Sequence, residues 1–406
     1  MKIRRLKMDL LLKGGRIVDY NTNFHGDIYI NDGEIVEYGE NLNYSCKTIN
    51  CDGLFIMPSF IDMHVHFREP GYEYKEDIHS GSLAALKGGY TCVNLMANTN
   101  PICSSMEIVD YVLNRAKELD LIDVHQTVSI TKNFDGETLS HIDDLEPSVE
   151  LLSDDGKGVK DNLVMYNALK IAKEKGLTII AHEEDNSLVC FDARLSENIM
   201  TKRDIELARS TKGKLHFAHV STKEAISDII KAKNEGVTIT CEVTPHHLAL
   251  YDNDYKVNPP IRKKEDVEAL INAIIDGYVN VIATDHAPHT EEDKRNGACG
   301  ISGIETSFSI CYTTLVKDGH ISLNKLSELM SKNPGELMNV KKGKIKSGYD
   351  GDLVIVDLDS LIKVDSRNFA SKGKNTPFQG KEYYGEILAT IKRGEVKYNG
   401  GIEYDN

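Results

Sequence analysis

The chain has 406 residues, 40% of them hydrophobic, enough for a large catalytic domain with a small companion. Its formal charge of -15, from 48 basic and 63 acidic side chains, disfavours a nonspecific grip on nucleic-acid phosphates or anionic lipid, though it allows a local basic pocket for a small anion. The apolar run before Lys13 is too short for a signal-peptide core or a membrane span, and the 8 cysteines are dispersed with no CxxC pair, as suits reduced thiols in the cytoplasm.

Residues 8–57 read as β-patterned pieces, "DLLLKGGRIVDY", "GDIYINDGEIVEYG" and "KTINCDGLFIMP", punctuated by Gly and Asp-Gly turns. From about residue 55 to 340 the pattern changes. Short apolar runs appear in the order "FIDMHVH", "TCVNLMA", "IDVHQTVSI", "VELLSDD", "LTIIAH", "LHFAHV", "VTITCEV" and "VNVIATD". Between them lie amphipathic segments such as "SMEIVDYVLNRAKEL", "LVMYNALKIAKEKG", "TKEAISDIIKAKNEG" and "KEDVEALINAIIDG". Strict alternation of strand and helix implies parallel pairing. Eight such units over roughly 250 residues are the requirement of a (β/α)8 TIM barrel, with a doubly wound open sheet as the alternative of similar pattern. Near the C-terminus "GDLVIVDLD" and "ATIKRGEVKYNG" return to the style of the first 57 residues. Neither end is long enough for a sheet domain alone. Residues 1–57 and 341–406 are therefore expected to build one small composite β domain beside a barrel spanning 58–340.

The polar residues of these runs fall at their C-terminal ends, where a barrel places its chemistry. His64 and His66 stand two apart on the first strand and so point to one side. The fourth run ends in Asp154 and Asp155, the fifth in His182, the sixth in His219 and the eighth in Asp285. Any one of these histidines alone is as readily a core residue satisfied by a hydrogen bond. Their joint placement at strand ends points instead to a mixed nitrogen and oxygen ligand set for zinc or a similar divalent ion. Six protein ligands exceed the needs of one tetrahedral catalytic site, which implies two ions bridged by a carboxylate and a hydroxide. His246 and His247 of "TPHHL" are not needed for that set and read as supporting or structural residues, and His25, His79, His125, His141, His216 and His320 as surface or packing residues.

Together "DMHVHFREPG", "MANT", "SDDG", "AHEEDN", "AHVST", "EVTPHHL", "NPPIR", "ATDHAPHT" and "GIET" resemble the bacterial class I dihydroorotases of the amidohydrolase superfamily, over nearly the whole chain. HxH alone is shared by many amidohydrolases; HFREPG, NPP and TDHAPH in this order are specific. The resemblance implies a TIM barrel with a composite β domain and a binuclear zinc centre. Its activity would be the interconversion of N-carbamoyl-L-aspartate and (S)-dihydroorotate in pyrimidine (UMP) biosynthesis. Position by position it implies His64, His66 and Asp285 on the first zinc, His182 and His219 on the second, and Asp155 bridging with a hydroxide. Asp285 would also be the catalytic proton shuttle. Substrate would be held by His66, Arg68, Asn98, Asn258 and His289 and by the backbone around Cys299 and Gly300. Many relatives bridge their metals with a carboxylated lysine. Lys157 and Lys160 lie nearby but past the strand end, and the resemblance favours Asp155. Ala97, Ser59 and Cys299 depart from the family pattern, at loop and pocket positions and not at ligand positions.

A hydantoinase, dihydropyrimidinase or allantoinase would use the same metals on a neutral ring, which gives no direct reason for Arg68. A catalytically silent scaffold of the same fold would not need the intact ligand set. The expected partner is a small-molecule substrate, with no nucleic acid and no membrane. The native metal and the oligomeric state stay open, and with them a homodimer and an association with pyrimidine enzymes such as aspartate transcarbamoylase.

Overall fold

Strands from both ends of the chain pair in one sheet. The computed structural model describes residues 9–403, so the basic start of the N-terminus lies outside the described residues. The sheet runs in the order Glu395–Asn399, Glu382–Lys392, Leu353–Lys363, Phe55–Pro58, Leu10–Val18, Asn23–Asn31 and Glu34–Gly39, with Lys47–Asn50 paired to Leu10–Val18 off this path. Turn chemistry sets two of its hairpins. Asp32 and Gly33 have φ of 51° and 87°, and Arg393 and Gly394 have 49° and 77°, the left-handed pairs that a two-residue hairpin matched to strand twist requires. Leu10, Leu12, Ile17, Ile28, Ile30, Ile355 and Ile391 belong to a core of the sheet's own.

Phe55–Pro58 hands the chain to the barrel. The parallel strands there are Phe60–Val65, Tyr90–Leu95, Asp123–Gln126, Leu151–Leu152, Thr178–Ala181, Lys214–Phe217, Ile239–Val243 and Val281–Ile282, one from each of the apolar runs read in the sequence. The first three form one sheet and the last five another. Parallel bridges from Val128 to Leu152 and from Val65 to His286 join the two into a closed ring, a (β/α)8 barrel. Ile61, Met63, Cys92, Leu151, Ile180, Ala218 and Val281, drawn from strands around the ring, form a cluster inside it.

Helices Met106–Leu119, Asn162–Lys175, Lys223–Asn234 and Lys264–Ile275 stand where the amphipathic segments predict them. The strict alternation fails once. After the third strand the connection makes only the short 3-10 turns Lys132–Phe134 and Ser140–Asp144. That stretch has no apolar repeat of helical period and carries turn formers: Asn133 with φ of 56°, Gly136 with 78°, and Pro147. No helix among the described residues is long and apolar enough to cross a membrane.

Where barrel and sheet meet, Lys342 is buried, its ammonium 2.9 Å from Asp123, 3.0 Å from Asp350 and paired with Asp352. The three carboxylates are close enough together to suggest a cation site, and Lys342 fills it. Burial alone would raise the Asp123 carboxyl, but Lys342, Lys392 and Arg393 hold it well below its usual range. The stabilisation this represents is present in full above the ordinary carboxylate pKa and falls away as the pH drops below it. Lys342→Met leaves the buried Asp352 facing the half-buried Asp123 and Asp350 and is expected to cost about 3–5 kcal/mol. It should appear as a lowered urea midpoint at neutral pH, and an unchanged midpoint would show that the knot is not stabilising.

Candidate metal centre

The strand ends deliver six buried side chains to one place: His64, His66, Asp155, His182, His219 and Asp285. His66 Nε2 lies 3.0 Å from Asp285 Oδ1, and His64 Nε2 lies 3.7 Å from the same oxygen. Asp155 Oδ1 is 3.3 Å from His64 Nε2, 3.3 Å from His182 Nδ1 and 3.8 Å from His219 Nε2. Asp155 thus stands between the two pairs of histidines. His182 Nδ1 and His219 Nε2 face each other at 2.9 Å. His219 and Asp285 have left-handed φ of 32° and 48°, a backbone uncommon outside glycine, just past the points where the chain leaves its strand.

The donor set fits a divalent cation. Donors held at the usual zinc distances stand about 3.3–3.6 Å apart along a tetrahedral edge, and the separations here, 2.9 to 3.8 Å, bracket that spacing. His64 Nε2 is buried with no hydrogen-bond partner among the described residues, and it is aimed between Asp155 and Asp285. The electrostatics agree. Burial alone would raise the Asp285 carboxyl, but the hydrogen bond from His66 and the neighbouring imidazoles bring it down to about 2. Burial would likewise raise Asp155, and His64, His182 and His219 hold it well below the carboxylate range. Burial would lower His182, yet Asp155 and Glu184 lift it to about 9. The acids of this site call for positive charge, whether as protons on imidazole or as a bound ion.

Three residues brace the centre. Glu242, fully buried, takes His64 Nδ1–H at 2.6 Å and the His219 backbone N–H at 3.2 Å on one oxygen, and His216 Nε2–H at 3.1 Å on the other. A carboxylate behind an imidazole fixes its tautomer and leaves the opposite nitrogen for the metal. Asp62 ties the first strand to the last by accepting from the backbones of His64 and Thr284, each at 3.1 Å. Asn98 spans two candidate ligands, with Oδ1 2.9 Å from His66 Nδ1 and Nδ2 donating to Asp155 Oδ2 at 3.1 Å. Glu242 and Asp62 were missed as candidates in the sequence. The available signal was an acid inside an apolar strand run, in "VTITCEV" and "FIDMHVH".

Other candidates separate cleanly. Asp154 turns away and accepts from the Thr131 backbone at 3.0 Å, whereas its neighbour Asp155 faces the histidines. Lys157 and Lys160 are exposed, and the Lys157 ammonium lies over the Phe134 ring. His247 is occupied by Thr244 and the Pro259 carbonyl, and burial brings His246 down to about 4, so both rings stay neutral.

Around the mouth, Arg68 has φ of 65° and is half-buried; its Nε donates to the Pro288 carbonyl at 3.4 Å and its Nη2 lies 3.3 Å from His289 Nε2. Among the described residues no carboxylate lies within ion-pair distance of it. Glu69, its neighbour, instead accepts from the Ile78 N–H at 2.8 Å and the Tyr111 hydroxyl at 2.7 Å. Burial, with Arg68 and Lys75 nearby, takes His289 down to about 3, and its ring donates to the Cys299 carbonyl at 2.8 Å. Asn258 Nδ2 donates to Glu184 at 2.6 Å and lies 3.3 Å from His182 Nε2. Cys299 is exposed. The peptide groups of Gly300 are already engaged: its N–H donates to the Lys256 carbonyl at 3.1 Å, and its own carbonyl accepts from Lys294 and Asn375, each at 3.0 Å. A side chain at Gly300 would put Cβ 2.5 Å from the Ala287 carbonyl oxygen, so glycine is needed for this approach.

A closed parallel barrel with an acid-braced histidine and carboxylate cluster at its strand ends defines a class of metal-dependent hydrolases. Residues 55–397 match the amidohydrolase family, and the chain belongs to that family. It is 54% identical over 396 residues to a dihydroorotase of Clostridium botulinum, covering 96% of this chain and 100% of the relative. A dihydroorotase of Acetivibrio thermocellus is 38% identical over 418 residues, covering 95% of this chain and 98% of the relative. Among solved structures, a D-hydantoinase superposes with a TM-score of 0.89 at 25% identity, over 98% of this chain and 97% of that one.

Glu242→Gln places an amide N–H against either His64 or His216, both of which now donate to the carboxylate. Metal affinity is expected to fall by about 10–100-fold, as for other partners that orient a metal-binding imidazole. Metal retained after dialysis against a weak chelator reads this directly, and retention equal to wild type would exclude a bracing role.

Proposed function

We propose that this chain is a dihydroorotase of the bacterial class I type, interconverting N-carbamoyl-L-aspartate and (S)-dihydroorotate in pyrimidine biosynthesis. The observation that carries the reading is Arg68, a half-buried guanidinium beside the candidate ligands with no acidic partner among the described residues. A planar, permanent cation in that position suits a substrate carboxylate. The rings of hydantoin and allantoin carry none. The two relatives named dihydroorotase, matched over almost their whole length, support the same choice.

In this reading His64, His66 and Asp285 would hold one zinc ion and His182 and His219 a second, with Asp155 available to both. Ions of this kind, when bound, make water a nucleophile at neutral pH and polarise a carbonyl oxygen. The chain's own residues do the rest. Arg68 fixes the substrate carboxylate, and His289, kept neutral, leaves the guanidinium charge for it. The Asp285 carboxylate, ionised at neutral pH, takes the proton of the attacking water and passes it to the ring nitrogen as the amide bond breaks. In ring closure the same carboxylate removes the proton from the ureido nitrogen.

Asp285→Asn is expected to lose turnover by about 10²-fold or more while much of the metal stays bound, since an amide can still offer an oxygen but cannot accept the proton. Near-normal turnover at saturating metal would exclude Asp285 as the shuttle. Arg68→Met should raise KM for dihydroorotate and lower kcat/KM by about 1.5–3 kcal/mol, the scale of a charge-assisted bond, with unchanged metal content. Turnover of dihydroorotate should suffer far more than turnover of hydantoin, a ring without the carboxylate. An equal loss on both, or none on dihydroorotate, would favour a hydantoinase-type activity.

A further inference from the structure

The connection between strands Leu353–Lys363 and Glu382–Lys392 leaves the composite sheet and crosses to the barrel mouth. Two anchors hold it there. Ser371 donates to the buried Glu76 carboxylate, which also accepts the Lys372 N–H at 3.2 Å. Phe378 is fully buried in a cluster with Leu250, Val257 and Ile301. Between these anchors Asn375 uses every polar atom of its side chain. Its Oδ1 accepts from the His289 N–H at 3.0 Å and from the Ser302 hydroxyl at 2.8 Å. Its Nδ2 donates to the Gly300 carbonyl at 3.0 Å and to the Ala287 carbonyl at 3.4 Å. Its backbone carbonyl takes the Ser302 N–H at 2.8 Å. One amide therefore ties the loop after the eighth strand, which carries His289, to the loop of Cys299 and Gly300. Gly373 presses the segment onto the same loops, since a Cβ there would lie 2.5 Å from Pro288 Cβ and 2.6 Å from Ser302 Oγ. The Pro288 carbonyl is also what receives Arg68 Nε.

We propose that Asn375 is a positioning residue, supplied from outside the barrel, that sets the gap between His289 and the Cys299–Gly300 backbone and thereby the fit of a ring-borne carboxylate against Arg68. This rests on assigning the mouth to dihydroorotate. Only a side-chain amide can accept two hydrogen bonds and donate two in this arrangement. The substitution Asn375→Asp would keep the acceptor side and turn an oxygen on two carbonyls, whereas Asn375→Ala would keep neither side.

The test is steady-state kinetics on zinc-loaded full-length protein, with metal content and Tm measured on each variant. Asn375→Ala and Asn375→Asp are expected to raise KM for dihydroorotate by about ten-fold or more, with kcat changed by less than about three-fold, because the lost bonds hold the binding loops and not the reacting atoms. Gly373→Ala, which keeps Asn375 but lifts the segment, should move KM in the same direction. An unchanged KM in Asn375→Ala and Gly373→Ala overturns the proposal. So does a KM rise accompanied by lost metal or a lowered Tm, which would make Asn375 a merely structural residue. Wild-type enzyme that turns over hydantoin but not dihydroorotate overturns the functional reading instead, whatever the Asn375 variants do.

Discussion

One buried imidazole, His64, faces three carboxylates: Glu242 on its Nδ1 side and Asp155 and Asp285 on its Nε2 side. Burying that much negative charge is costly unless positive charge and hydrogen bonds compensate it. The surrounding architecture serves that requirement. Residues 64 and 242 are brought to 2.6 Å across 178 positions of sequence only because the strand ring closes. The bridge from Val65 to His286 and the Asp62 bonds to Thr284 make that closure at the strand ends that carry the ligands. A ring left open there would separate His64 and His66 from Asp285.

The same balance of charge governs the mouth. Acids that draw cations to the centre give way, a few ångströms further out, to Arg68, Lys75 and a neutral His289. Arg68 therefore offers an anion a positive charge with no carboxylate partner among the described residues, although the chain as a whole is strongly acidic. Glu69 and Asp293, the nearby acids by sequence, are drawn off, Glu69 to Ile78 and Tyr111 and Asp293 to Thr290 and Lys75. A D-hydantoinase shares the whole fold at a TM-score of 0.89, so the barrel itself does not select the ring. In the proposed reading that choice falls to a few side chains at the mouth and the segments that hold them, including one contributed by the composite sheet.

Much of this was legible in the order of residues. Each barrel strand announced itself as a short apolar run, and each candidate ligand stood at a run's C-terminal end, because strand length, helix period and the side-chain alternation behind His64 and His66 are properties of neighbouring residues. The Asp-Gly hairpin at residues 32 and 33 was legible for the same local reason. The missing helix after the third strand was in principle visible too, as an absent apolar repeat.

What the tertiary structure alone decided are the encounters between distant residues. Asp154 and Asp155 are chemically equal and adjacent; only the path of the loop turns one toward Thr131 and the other toward the histidines. Glu242 looks like an isolated acid in a strand until ring closure sets it behind His64, and Asn375 looks like a loop residue until its segment crosses to the mouth. Periodicity and capping act over a few residues and can be read from them. Which buried acid faces which imidazole depends on the closure of the barrel and the docking of a second domain, where the burial of charge and the matching of donors to acceptors are settled by groups hundreds of positions apart.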